Sequence, residues 1–277
     1  MAVTRVRRRW FSVNAWRVAL LLAFLAAWEW VPVIPGVAGA APFLDRFFIS
    51  SPSSVLRELG HLVAGSRPIP GVSGISIWPF LETTLVAALI GAAVAVAVGT
   101  IGGLVCASSE TVYDVVRPFI VALNAIPRIA LVPVIVLVFG TSTTGDALTA
   151  FLLVVFLVFY NALEGARSVN VETIEFVRLF GASRLRLMVS VRAPYALAWV
   201  FACLPNAVSF GLLGAVAAEL FTGSVGLGQL LTTAVDTTNA SLTFAVVVIL
   251  AVLGSILVQG LEIARRRWLG WWTVTVD

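Results

Sequence analysis

The chain has 277 residues, 60% of them hydrophobic and only 12% charged, with a mean hydropathy of +1.03. No soluble domain of this length can hide so much apolar surface, so a polytopic membrane protein is expected. The net charge of +4 rests on 18 basic residues, all arginine; they cluster at the ends of apolar runs, where they report membrane orientation and not nucleic-acid binding. Cys106 and Cys203 lie within or at the end of apolar runs, and their spacing supports neither a disulfide nor a metal site. His61 stands alone and reads as a polar surface residue. No Gly-rich phosphate cradle of the Walker type occurs, so the chain is not expected to hydrolyse ATP, act as an enzyme or hold a cofactor.

About 20 apolar residues are needed to cross the hydrocarbon layer as a helix, and six stretches qualify. The first runs from about Val18 to Ile34, with Trp28, Glu29 and Trp30 near its far end. Its arginine-rich start and the string Val37–Ala41 also fit a secretory signal with a small-residue cleavage site; the length and the polar far end favour an uncleaved span. In the long loop that follows, Ser53–Gly65 is predicted as an amphipathic helix with Val55, Leu59, Leu62 and Val63 on one face, lying along the outer membrane surface or capping the bundle. The second span covers about Phe80–Val105. The third, about Arg117–Phe139, is interrupted by Pro118, Pro127 and Pro133. The fourth covers about Ala147–Leu163, the fifth Tyr195–Phe221 and the sixth Leu242–Ile263. Gly99–Gly103 and the small residues around Gly211, Gly214 and Ala217 predict close helix packing.

Arginine placement orients these spans. Arg5, Arg7, Arg8 and Arg9 precede the first, Arg117 separates the second from the third, and Arg265, Arg266 and Arg267 follow the sixth. With the arginines of the fourth-to-fifth loop they fall on one side, whereas the loops Gly140–Asp146 and Thr222–Ala240 contain none. Both termini are therefore expected in the cytoplasm.

The fourth-to-fifth loop is the most informative segment. Five arginines (Arg167, Arg178, Arg184, Arg186 and Arg192) surround the apolar residues Ile174, Phe176, Val177, Leu179 and Phe180. Asn170 is placed to cap a helix whose first turn holds Glu172, and Glu175 and Arg178 are spaced to pair on its surface. Gly181 permits a left-handed turn that ends this helix. Ser183 can cap a second helix reaching about Arg192, and Pro194 is expected to stop it before the fifth span. A helix pair resting on lipid headgroups would account for the amphipathic character. A partner-docking element accounts better for the turn-broken design.

Glu175, Gly181-Ala182-Ser183 and Pro194 together resemble the "EAA" coupling loop of ABC-importer permeases. Further matches are Ile126-Pro-Arg-Ile-Ala-Leu-Val-Pro133, Phe139-Gly140, Asn161 with Glu164-Gly165, Ala218-Glu219 and Gly226-Leu-Gly228. The combination is similar to the nitrate, sulfonate and taurine branch and covers roughly Phe80–Trp268. It departs at Glu175-Phe176-Val177, where bulky residues replace two alanines of the motif. The resemblance implies an all-α, type I permease of six transmembrane helices, multi-pass in the cell (plasma or inner) membrane. Residues 1–79 would hold the cytoplasmic N-terminus, first span and long extracytoplasmic loop, 80–268 a five-helix core with the coupling loop at about 164–194, and 269–277 a cytoplasmic tail. It implies as partners two cytoplasmic ATPase subunits, a second and identical permease chain and an extracytoplasmic solute-binding protein, besides membrane lipid. The residues of the coupling loop would be Glu175, Phe176, Val177, Arg178, Gly181, Ala182, Ser183 and Pro194. The solute would be a small anion such as a sulfonate, taurine or nitrate.

Polar groups inside spans are the candidates for the solute path. Arg128 lies about 16 Å along a regular helix from Arg117; it could attract an oxyanion or bond carbonyls freed by the prolines. Asn124, Asn206 and Ser209 are further candidates, with interhelical hydrogen bonding as the alternative. Glu219, near the outer end of the fifth span, is assigned to a gate or to the surface that meets the binding protein. An ion-coupled transporter without ATPases is the competing function; it would be expected to show paired acids in mid-span and an internal repeat.

Overall fold

The computed structural model describes residues 2–34, 42, 45–69 and 72–268. The small-residue string Val37–Ala41 and the tail 269–277 lie outside the described residues. The first helix, α1 (Ala2–Trp30), has a stretch apolar enough to span from Val13 to Val33, and a 3-10 turn carrying Pro32 closes it. There follow a short α2 (Arg46–Ile49) and α3 (Pro52–Ala64), which ends at Gly65 with φ of +65°. Ser51 caps α3 by accepting from the Ser54 amide at 3.3 Å. Val55 and Leu62 form its buried face, while Val63 is 55% exposed. The expectation that Val63 shares this face fails because it lies about 100° further round the helix than Leu62.

A hairpin absent from the sequence reading comes next. Strand β1 (Arg67–Ile69) pairs antiparallel with β2 (Val72–Ile75). Then come α4 (Trp78–Ala107), α5 (Glu110–Ala125), a 3-10 turn at Arg128–Leu131, α6 (Val132–Phe139) and α7 (Thr143–Arg167). The loop helices are α8 (Val171–Leu179) and α9 (Arg184–Leu187). A π turn at Met188–Arg192 leads into α10 (Ala193–Thr222), followed by α11 (Leu227–Asp236) and α12 (Ala240–Trp268). Among the described residues five helices are long and apolar enough to cross a membrane, and six spans result when the bent pair α5 and α6 counts as one.

The chain divides into two compact units. One comprises residues 1–77 and 233–248. In it the Trp28 indole donates to the Ile49 carbonyl at 3.0 Å and packs edge-on against Phe244. Glu29 accepts from Arg46, the Ser53 amide and the Ser53 hydroxyl, each at 3.0 Å. Glu29 thus anchors the start of α3, which explains a carboxylate at the end of an apolar helix.

The second unit, residues 78–232 and 249–277, is built on α4, α7 and α10. Gly91, Gly99 and Gly103 of α4 face successive turns of α7 in the same order, so these two helices run parallel. Gly211 and Gly214 of α10 meet Ala88, Ala92 and Ala150, so α10 runs antiparallel to both. Backbones touch directly: a Cβ on Gly103 would lie 2.7 Å from the Phe159 carbonyl, and one on Gly214 2.6 Å from the Ala150 Cα. Such approach matters in lipid, where helices associate through packing and not through a hydrophobic gain over the solvent. Ala92, Ala95, Val154, Val158, Ala162, Val200, Cys203 and Ala207 fill the centre.

Two expectations about proline change here. Pro118 sits inside an unbroken α5, while the break comes at Ile126–Pro127, where the pair turns by 80°. A residue before proline is pushed to extended backbone, and Ile126 adopts it. Pro194 does not stop the second loop helix, because helical backbone continues from α9 through the π turn into α10. The proline follows the π turn directly, and such a local widening lets a helix accommodate a missing N–H without breaking.

Candidate functional site

The loop between α7 and α10 folds as a helix–turn–helix. Asn170 precedes α8 without a side-chain cap bond, and the Ser183 hydroxyl caps α9 by accepting from the Arg186 amide at 3.3 Å. Gly181 takes φ of +75°, and its amide donates to the Arg178 carbonyl at 2.9 Å. Phe176, Leu179 and Phe180, at helical spacing, are 61%, 84% and 75% exposed, and Leu185 beyond the turn is 74% exposed. The Phe176 and Phe180 rings pack edge-on with centroids 4.9 Å apart. Val177 and Ala182 are half-buried, and Glu175 and Arg178 are exposed. The expected Glu175–Arg178 pair is not formed among the described residues. What results is an apolar, arginine-bordered ridge that this chain leaves uncovered, a surface suited to a partner.

The broken span carries the second group of candidates. Arg128 donates to the Asn124 side chain and lies 5.0 Å over the Phe156 ring; its Nε is buried without a partner. No hydrogen bond among the described residues joins this guanidinium to the freed carbonyls of the break; its contacts are with side chains of α5 and α7. Asn206 and Ser209, three apart on α10, are exposed, and the Ser209 hydroxyl bonds back to the Pro205 carbonyl at 3.1 Å. No hydrogen bond among the described residues joins that pair to Asn124 or Arg128.

A buried polar cluster lies at the opposite end of the helices from the loop. Glu219 and Asp146 are both 0% exposed. Glu219 accepts from the Gly228 amide at 2.8 Å, Asp146 accepts from the Ser224 hydroxyl at 2.8 Å, and Thr84 accepts from the Leu227 amide at 2.8 Å. Side chains of α4, α7 and α10 therefore hold the loop 223–226 and the first amides of α11, which a helix start leaves without internal partners. The cradle admits only glycine at two positions. A Cβ on Gly226 would fall on the Glu219 carboxylate, and one on Gly228 would lie 2.6 Å from the Val216 carbonyl. Full burial leaves Glu219 nothing to present to a protein docking from outside. Sequence reasoning passed over Asp146, Ser224 and Thr84. An acid just inside the start of an apolar run was the available signal, since the helix dipole favours it there.

The loop, the broken span and most of this cluster fall within one stretch of sequence. Residues 99–269 match the family described as "Binding-protein-dependent transport system inner membrane component". The chain belongs to this family of transport permeases. The permease is 28% identical over 228 residues to the taurine transport system permease protein TauC of Escherichia coli, with 82% of each chain covered. It is 31% identical to the riboflavin transport system permease protein RibX of Chloroflexus aurantiacus over 69% of this chain and 71% of that one. The nitrate import permease protein NrtB of Synechocystis is 26% identical over 65% and 64% of the two chains. The likeness to the nitrate, sulfonate and taurine branch and the helical membrane fold are thereby borne out. The family is a transport component and not an enzyme.

Proposed function

We propose that the permease forms, with a second copy of itself, the membrane pathway of an ATP-driven importer. In this reading the loop 168–192 faces the cytoplasm, as do both termini, and docks on one of two ATPase subunits. A binding protein delivers solute from the other side. The observation that carries the reading is the uncovered ridge of Phe176, Leu179, Phe180 and Leu185 flanking the Gly181 turn. ATP-driven closure of the ATPases would draw the two loops together and switch the access of the pathway; this requires the two states to bind ATP and binding protein with different affinity. Residues 80–268 constitute the translocating core, 1–79 the accessory N-terminal part and 269–277 the tail.

The cargo we assign is a small anion of the taurine, sulfonate or nitrate type. Arg128 supports this, because it is an only half-buried cation at the break in the third span. Asn124 positions it, and Asn206 and Ser209 extend the polar path. Glu219 belongs to a gate, since its carboxylate holds the loop leading into α11. An ion-coupled mechanism would call for paired acids in mid-span. Asp146 and Glu219 lie instead in the first turn of α7 and the last turn of α10, each holding the same loop.

Co-purification of the chain with ATPase subunits tests the partnership. Phe176→Asp with Phe180→Asp is expected to release them while the permease stays in the membrane. Retention of the subunits by that variant would refute the docking role of the ridge. Uptake of labelled taurine, nitrate and an alkanesulfonate by the reconstituted complex tests the cargo.

A further inference from the structure

The two ends of the loop meet at one corner of the bundle. Arg167, in the last turn of α7, places its Nη1 3.1 Å from Glu110 Oε2 and its guanidinium 4.2 Å over the Tyr113 ring. Arg192, the last residue of the π turn, donates to the carbonyl of Ala107, the final residue of α4. Ala107, Glu110 and Tyr113 all belong to the turn that joins α4 to α5 and to its first helical residues. The entry and the exit of the loop are thus fastened to the same short segment.

The chemistry of each contact fits a clamp. The last carbonyls of a helix have no internal partner, and an arginine there both satisfies one and complements the negative end of the dipole. Tyr113 packs against Cys106, Ala107, Leu163, Ala166 and Ala196, the buried cluster that unites the ends of α4, α7 and α10. The Glu110 side chain is 72% exposed, and an ion pair so open to solvent adds little to stability. The value of these contacts is therefore geometric. From the corner, α5 runs without interruption to Ala125, directly before the break at Ile126–Pro127 and Arg128.

We propose that Arg167, Arg192 and Glu110 are positioning residues that couple displacement of the cytoplasmic loop to the broken third span through the α4–α5 corner. The inference rests on the coupling-loop reading given above. It adds the route by which a push on the loop reaches the solute path.

The test uses the permease assembled with its ATPase subunits in lipid nanodiscs, with Cys106 and Cys203 replaced by alanine and Ile129→Cys as the reporter. The rate of alkylation of this cysteine is measured without nucleotide and with ATP trapped by vanadate. The unreversed chain is expected to show a nucleotide-dependent rate. Glu110→Arg and Arg167→Glu, each alone, are expected to lose that dependence while ATPase subunits remain bound, and the double reversal is expected to restore it. Rescue by swapping the charges identifies the Arg167–Glu110 pair as the element involved, and retained assembly with the ATPase subunits in the single reversals separates a relay from a loss of structure. Nucleotide dependence that survives in the single reversals, or fails to return in the double one, overturns the clamp. Release of ATPase subunits by the single reversals also overturns it, since the residues would then hold the partner and relay nothing. A rate that ignores nucleotide in the unreversed chain overturns the relay alone, because the docking reading stands or falls on co-purification.

Discussion

Gly181 and Gly226 are both required, for opposite physical reasons. At Gly181 a Cβ would meet nothing within 4 Å, and the constraint is its φ of +75°. Gly181→Val should cost about 1–3 kcal/mol locally and redirect α9, so that ATPase stimulation and uptake fall sharply in reconstituted complexes. Gly181→Asn should be far milder, because asparagine tolerates the left-handed region. Glu175→Ala should be mild too, since this side chain is exposed and forms no ion pair among the described residues. Wild-type transport in Gly181→Val would remove the loop from the coupling mechanism. At Gly226 the constraint is space, because a Cβ would fall on the buried Glu219 carboxylate. Gly226→Ala should destabilise the permease by about 1–3 kcal/mol, as overpacking does. Gly60→Ala, at a helical site with open space, should stabilise by about 0.5–1 kcal/mol. Thermal unfolding of the purified proteins would show these opposite signs, and equal shifts would contradict the cradle.

At the scale of elements, the broken span carries the most consequence. Its 80° bend follows from proline chemistry, and it leaves Arg128 held by Asn124 and the Phe156 ring on a short 3-10 turn. Arg128→Gln should lower anion uptake while leaving assembly with ATPases and docking of the binding protein unchanged. A variant complex that fails to assemble would make the residue structural. The π turn before α10 is the other irregular element; it brings Arg192 to the end of α4. The prolines were legible as disruptions, but which of them breaks a helix was not. Pro118 fits inside α5 and Pro194 inside the first turn of α10, because the outcome depends on whether neighbours accommodate the missing donor and the ring.

For the whole molecule, the distribution of arginine predicts the direction of the helices. Reporter fusions after Thr143 and Thr233 should read outside, and one after Ser183 inside. An outside signal at Ser183 would separate the loop from any cytoplasmic ATPase and end the coupling argument. The parallel run of α4 and α7 with α10 antiparallel agrees with this order of crossings, since one broken span separates the first two.

The sequence by itself determined the membrane class, the position of the spans and the turn-broken loop with its Gly181 and Ser183. These depend on local quantities: apolar run length, charge at span ends, and the backbone freedom of one glycine. It also carried enough motif to place the chain within its family. Only the tertiary structure decided that Asp146, Thr84 and Glu219, from three separate helices, secure one loop. Only there does Arg192 reach Ala107, 85 residues away in the chain. Such contacts arise from how helices pack, and helix packing in lipid is set by the close approach of small residues. No single segment records that approach.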